Sequence, residues 1–111
     1  MSMQYTVSWD PKVLELAALG KFQLKDLTTN NFGGHKAAEG LLTFSWFDSN
    51  LEGVSVEDGT PIYQVCYNAI GEIGNSSDLT FVEVPVPFEI SNKAGEIIRF
   101  ESIAGKVTIT D

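Results

Sequence analysis

Apolar and polar residues alternate with period two along several stretches of the chain, and the longest of these is residues 60–70. There Tyr63, Val65, Tyr67 and Ala69 fall on one side and Gln64, Cys66 and Asn68 on the other, the pattern of a strand with one buried face. Asp58 and Gly59 before it and Gly71 after it are turn residues, because glycine accepts a positive φ and aspartate bonds its own backbone. Residues 3–9 alternate as cleanly, with Met3, Tyr5, Val7 and Trp9 opposed to Gln4, Thr6 and Ser8. Across residues 41–47, Leu42, Phe44 and Trp46 face away from Leu41, Thr43, Ser45 and Phe47. Shorter strands are predicted at 79–84, 88–90, 97–100 and 106–110, and a brief extended piece at 54–56. Pro85 and Pro87 cannot donate to a ladder, so the chain bends or lies at an edge after residue 84. Asn92 to Gly95 predicts a hairpin between 88–90 and 97–100.

The connecting stretches carry turn chemistry. Asp10 and Pro11 turn the chain, and Val13, Leu14, Leu16 and Ala17 predict a short helical or irregular turn ending at Gly20. Residues 22–27 read as a loop that packs through Phe22, Leu24 and Leu27, while 30–34, 48–53 and 72–78 read as polar turns. Many short strands without a long helix predict an all-β sandwich. At 111 residues and 43% hydrophobic content the chain holds one domain, assigned to residues 3–111, with Met1 and Ser2 expected to be a remnant of expression.

Charge narrows the partners. Fifteen acidic against seven basic residues give a net charge of −8, and no basic stripe exists to neutralise phosphates. Nucleic acid and anionic membrane are therefore not expected partners. No apolar run approaches the roughly 20 residues of a membrane span, and no cleavable signal peptide is read at the start, so any export signal is expected to lie outside this sequence.

Catalytic chemistry is not expected. His35 is the single histidine and sits in a glycine-rich turn, where a solvated ring is the ordinary outcome. Cys66 has no basic neighbour in sequence to activate its thiol. The pairs Asp48/Asn50 and Glu57/Asp58 lack the regular spacing of a calcium loop, so no metal and no cofactor is expected. Trp9 and Trp46 share faces with Val7 and Phe44, which predicts core packing rather than sugar stacking.

Several blocks resemble the cohesin family, the β-sandwich modules that bind dockerin domains in cellulosomes and related extracellular assemblies, above all cohesin-like modules in large secreted proteins of Bacteroidetes-type bacteria. The resemblance is carried by residues 5–16 (YTVSWDPKVLEL), 31–33 (NFG), 40–48 (GLLTFSWFD), 58–71 (DGTPIYQVCYNAIG) and 105–110 (GKVTIT), in that order along nearly the whole chain. It implies a jelly-roll sandwich and a non-catalytic protein-binding module of an extracellular or cell-surface scaffold or adhesin. It also implies that dockerin-like partners dock on a sheet holding residues 3–9, 41–47 and 60–70. The outward residues would then be Gln4, Thr6, Ser8, Thr43, Ser45, Gln64 and Asn68. A carbohydrate-binding module and a structural spacer in a large surface protein are the competing readings.

The resemblance further implies an N-terminally truncated or split domain, since residues 3–9 correspond to the family's third strand. The first two strands would lie between the strand at 106–110 and that at 79–84, leaving Leu79, Phe81, Val82, Val107 and Ile109 as strand-acceptor edges. Their place would be taken by a peptide, a second chain or a strand-swapped copy of the chain. Two strands with about three inward apolar side chains each are worth on the order of 10–15 kcal/mol gross. That compares with a whole-domain stability of about 5–15 kcal/mol. Cys66 is implied either as half of a disulfide to the absent first strand or as an isolated thiol.

Overall fold

The computed structural model of the chain describes residues 1–48, 53–99 and 101–110. Its strands are β1 (Ser2–Ser8), β2 (Leu14–Gly20), β3 (Phe32–Gly33), β4 (Leu41–Phe47), β5 (Gln64–Ala69), β6 (Ser76–Val82), β7 (Glu89–Ser91) and β8 (Gly105–Thr108). Helical structure among the described residues is limited to two short 3₁₀ turns, Thr29–Asn31 and Ala37–Glu39. The main sheet runs β3-β4-β1-β6-β8, with β7 also on β1, and the second sheet is β2 paired with β5.

β1 is the hub of the main sheet. It lies antiparallel to β4 along its whole length, from Ser2 opposite Phe47 to Ser8 opposite Leu41. On its other side β7 pairs with Ser2 to Gln4 and β6 with Thr6 to Ser8. The alternation explains why: β4 turns Leu42, Phe44 and Trp46 inward, each only 1% exposed. Tyr5, Leu24, Leu27, Phe44 and Trp46 form one buried cluster, and Trp9, Val13, Leu14 and Leu42 the other. Both indoles satisfy their N–H groups on backbone carbonyls, Trp9 on Leu14 at 3.1 Å and Trp46 on Lys25 at 2.8 Å. Gly40 adopts φ +80°, and a Cβ there would collide with the Trp9 carbonyl, so this corner before β4 requires glycine.

Several expectations are corrected. Residues 14–20 form a strand rather than a helical turn, because a bulge between Leu16 and Ala18 interrupts the period-two pattern. Residues 54–56 join no strand. The predicted hairpin is present: Asn92 N–H donates to the Glu96 carbonyl at 2.9 Å, and Asn92 Oδ1 accepts from Ala94 and Glu96. Its second arm, however, is tied by an isolated bridge between Ser91 and Ile97, with Phe100 outside the described residues. Met1 and Ser2 are integral to the sheet: Ser2 opens β1, and the Met1 carbonyl accepts the Asp48 N–H at 3.2 Å.

The expected slot between 79–84 and 106–110 is closed. β6 and β8 pair directly, from Ser76 opposite Thr108 to Leu79 opposite Gly105. Leu79, Val107 and Ile109 instead pack against the Trp9 cluster, and Phe81 against the Tyr5 cluster. Val82 is ladder-paired with Thr6. The two-stranded sheet, by contrast, leaves the outer edge of β5 without a strand partner among the described residues.

Candidate functional site

The outer face of β1 and β4 gathers most of the predicted docking residues. Gln4 stands directly across from Ser45, Thr6 from Thr43, and Ser8 from Leu41. This is the consequence of antiparallel pairing between two strands that each turn their apolar residues inward. Thr43 donates to the Gly33 carbonyl at 3.3 Å, and the Ser45 carbonyl accepts from Asn31 Nδ2 at 2.9 Å, which fixes the margin formed by β3. Gln4 Nε2 donates to the Pro87 carbonyl at 3.3 Å.

Thr6 departs from expectation. It occupies the outward position, yet it is fully buried because residues 85–87 fold over it. Its hydroxyl donates to the Val86 carbonyl at 2.8 Å and accepts the Val86 N–H at 3.0 Å. The hydroxyl therefore fastens the proline segment to the sheet and offers nothing to a partner. Phe47 takes a place that sequence reasoning left unassigned. It follows Thr43 and Ser45 on the outer side of β4 and is 62% exposed, an aromatic ring beside a polar face. The alternation already placed it there; what it lacked was weight as an anchor.

Gln64 and Asn68 are not brought to this face. They lie on β5, which pairs with β2 in the other sheet, from Gln64 opposite Gly20 to Ala69 opposite Leu14. Both are exposed, and Asn68 Nδ2 donates to Glu15 Oε1 at 3.3 Å. Cys66 is an exposed free thiol on the same strand.

Between the sheets, aromatic rings make the core continuous. Tyr5 stacks on Phe44 at 4.6 Å between ring centres, and Phe44 on Tyr63 at 5.7 Å. The Tyr5 and Tyr63 hydroxyls meet at 2.6 Å. Burial raises both phenols above their ordinary range, Tyr5 by much the more. Tyr67 on β5 is pushed up to about 12, by burial first and by Tyr63 second.

Acid–base and metal chemistry find little to build on. Asp48 is buried; its Oδ1 faces the Met1 α-amino group at 3.0 Å, and Oδ2 accepts the Gly53 N–H at 2.6 Å. These two contacts hold its carboxyl below the usual carboxylate range. Its suggested calcium partner Asn50 lies outside the described residues. His35 is exposed in its turn. Among the described residues no group of three or more histidine, cysteine, aspartate or glutamate side chains is placed to hold a metal.

No family model matches the sequence, and no curated protein matches it. Solved structures do. The sixth cohesin of scaffoldin B from Acetivibrio cellulolyticus, in complex with a mutant Cel5 dockerin, superposes with a TM-score of 0.74 at 15% identity, over 97% of this chain and 76% of that one. The seventh ScaB type I cohesin from Pseudobacteroides cellulosolvens gives 0.71 at 19% identity, over 98% and 71%. The cohesin of the CaDoc0917–CaCohA2 complex gives 0.64 at 16% identity, over 98% and 78%. This chain has the cohesin fold. Within that fold, the outer β1–β4 face is polar, crossed by residues 85–87 and with exposed Phe47 at its margin, and the β2–β5 sheet is a two-stranded ribbon with an open side among the described residues.

Proposed function

We propose that this chain is a non-catalytic protein-binding module that docks a dockerin-like partner on the outer face of β1 and β4. The observation that carries the reading is the composition of that face. Gln4, Ser8, Thr43 and Ser45 offer short polar groups in register, and exposed Phe47 supplies the buried aromatic anchor that such interfaces need. Two of the similar cohesins are described in complexes with dockerins, which supports the partner class. A module of this kind belongs to an extracellular or cell-surface scaffold or adhesin. In the same reading the chain is the large part of a split domain and takes up strands from a second polypeptide. Sugar binding is less well supported, because both indoles are buried and bonded to backbone.

The test is calorimetric titration of the chain with a set of dockerin modules that includes the Cel5 dockerin. Binding at micromolar affinity or better is expected. Phe47→Ala should weaken it at least tenfold, in keeping with an aromatic hot spot of about 2 kcal/mol. Gln64→Ala, in the other sheet, should leave it unchanged. Absence of binding across the set, or binding insensitive to Phe47, would refute the assignment.

A further inference from the structure

Exposed sheet edges are a hazard that folded proteins blunt by shortness, charge, proline or a bulge. Four of the five outer strands among the described residues are blunted. β3 is two residues long, β7 is three residues long and carries Glu89, β8 carries Lys106, and β2 carries Glu15 and a bulge at residues 16–18. β5 has none of these devices. Its six residues, Gln64 to Ala69, contain no charge and no proline, and its outer edge has no strand partner among the described residues.

The inner side of β5 is unfinished in the same place. Tyr63, Val65 and Tyr67 pack against the two cores yet stay only partly buried, as do Val107 and Ile109 on the β8 side. β5 and β8 converge at one end, where a Cβ on Gly71 would lie 3.2 Å from Ile109 Cδ1, but no ladder joins them. Each similar cohesin contains chain with no counterpart here, since this chain covers only 76%, 71% and 78% of them.

From these features we infer that the outer edge of β5 is a strand-acceptor site for a separate extended segment with period-two apolar residues and basic flanks. The inference rests on the split-domain reading and moves the acceptor from β6 and β8 to β5. Backbone hydrogen bonds along β5 would supply affinity, and alternate apolar side chains would cover Tyr63, Val65 and Tyr67. Charge selects the occupant. A second copy of the chain would bring another −8, whereas a basic-flanked segment is attracted by Glu15, which meets Asn68 of β5, and by the net charge.

The probe is the peptide Lys-Thr-Val-Thr-Val-Thr-Val-Thr-Lys, added to the full chain in about 0.1 M salt, where screening over roughly 10 Å leaves local charge effective. At saturation it should raise Tm by about 10 °C, the size expected of a ligand well above its Kd. It should also slow amide hydrogen exchange within residues 64–69 at least tenfold. A peptide with proline at the central valine should do neither. Cys66→Lys, which adds the missing edge charge, should weaken the peptide at least tenfold without moving the Tm of the free chain. Cys66→Ser should bind as the parent does. No added protection in 64–69, equal action by the proline peptide, or a dimer of the chain alone protecting the same amides would each overturn the proposal. Phe47→Ala must leave peptide binding intact, so failure of this site and failure of the dockerin face are separable.

Discussion

β4 and β5 are strands of similar length and the same alternation, and they end in different states. β4 has β3 and β1 as neighbours, and its inward Leu42, Phe44 and Trp46 are sealed. β5 has β2 alone among the described strands, and its inward Val65 and Tyr67 are only partly buried. The side-chain pattern selects which face turns inward, but how completely a strand is buried also depends on what the fold lays beside and over it. A strand can therefore be well encoded and still be energetically unfinished.

The largest test of that contrast is truncation on each strand. Phe44→Ala removes a sealed ring from the stacked core and should cost about 3–5 kcal/mol, enough to unfold much of the population. Val65→Ala on β5 should cost no more than about 1 kcal/mol, because much of its surface is already hydrated. Urea unfolding midpoints measure both; equal losses would mean that β5 is as well buried as β4.

A smaller effect is expected at Thr6. Thr6→Val keeps the shape but leaves the Val86 N–H and carbonyl without their partner, at about 1–3 kcal/mol. Thr6→Ser retains the hydroxyl and should recover most of the loss. The same urea assay reads it, and a neutral Thr6→Val would mean that the 85–87 segment is held by other contacts.

The smallest effect is alkaline. Tyr67 titrates at about 12 in the folded chain against about 10 for a free phenol. A raised folded pKa gives stability that is complete below pH 10 and is lost as pH climbs toward 12, since the unfolded chain releases its proton first. Tyr5 and Tyr63 are raised as well and push in the same direction. Unfolding midpoints measured from pH 8 to 12 should fall across that window, and Tyr67→Phe should make the fall shallower.

The sequence carried the strands better than their partners. β1, β4 and β5 were legible because an uninterrupted period of two has one structural meaning. β2 was not, because the bulge at residues 16–18 lets Leu14, Leu16 and Leu19 drift across a strict alternation and mimic an irregular turn. Pairing was illegible for a deeper reason. Nothing in the spacing of Tyr63, Val65 and Tyr67 tells that β5 joins β2 rather than β1 and β4, so Gln64 and Asn68 were grouped with a face they do not share. Thr6 illustrates a third limit: alternation correctly turns it outward, but only the fold reveals the proline segment lying on top. Phe47 was visible as an outward residue throughout, and its exposure gives it a role.

The central position of β1 has a cost in time. It precedes every other described strand in the chain, yet its ladder is complete only when Ser91 has been made to sit beside Ser2. At the usual pace of synthesis, that is a wait of about 5–20 s, through much of which β1 has only β4 to pair with and its other edge stays open. A strand edge left open for that long is the kind of surface on which nascent chains aggregate, so slower translation should lower the yield of folded protein.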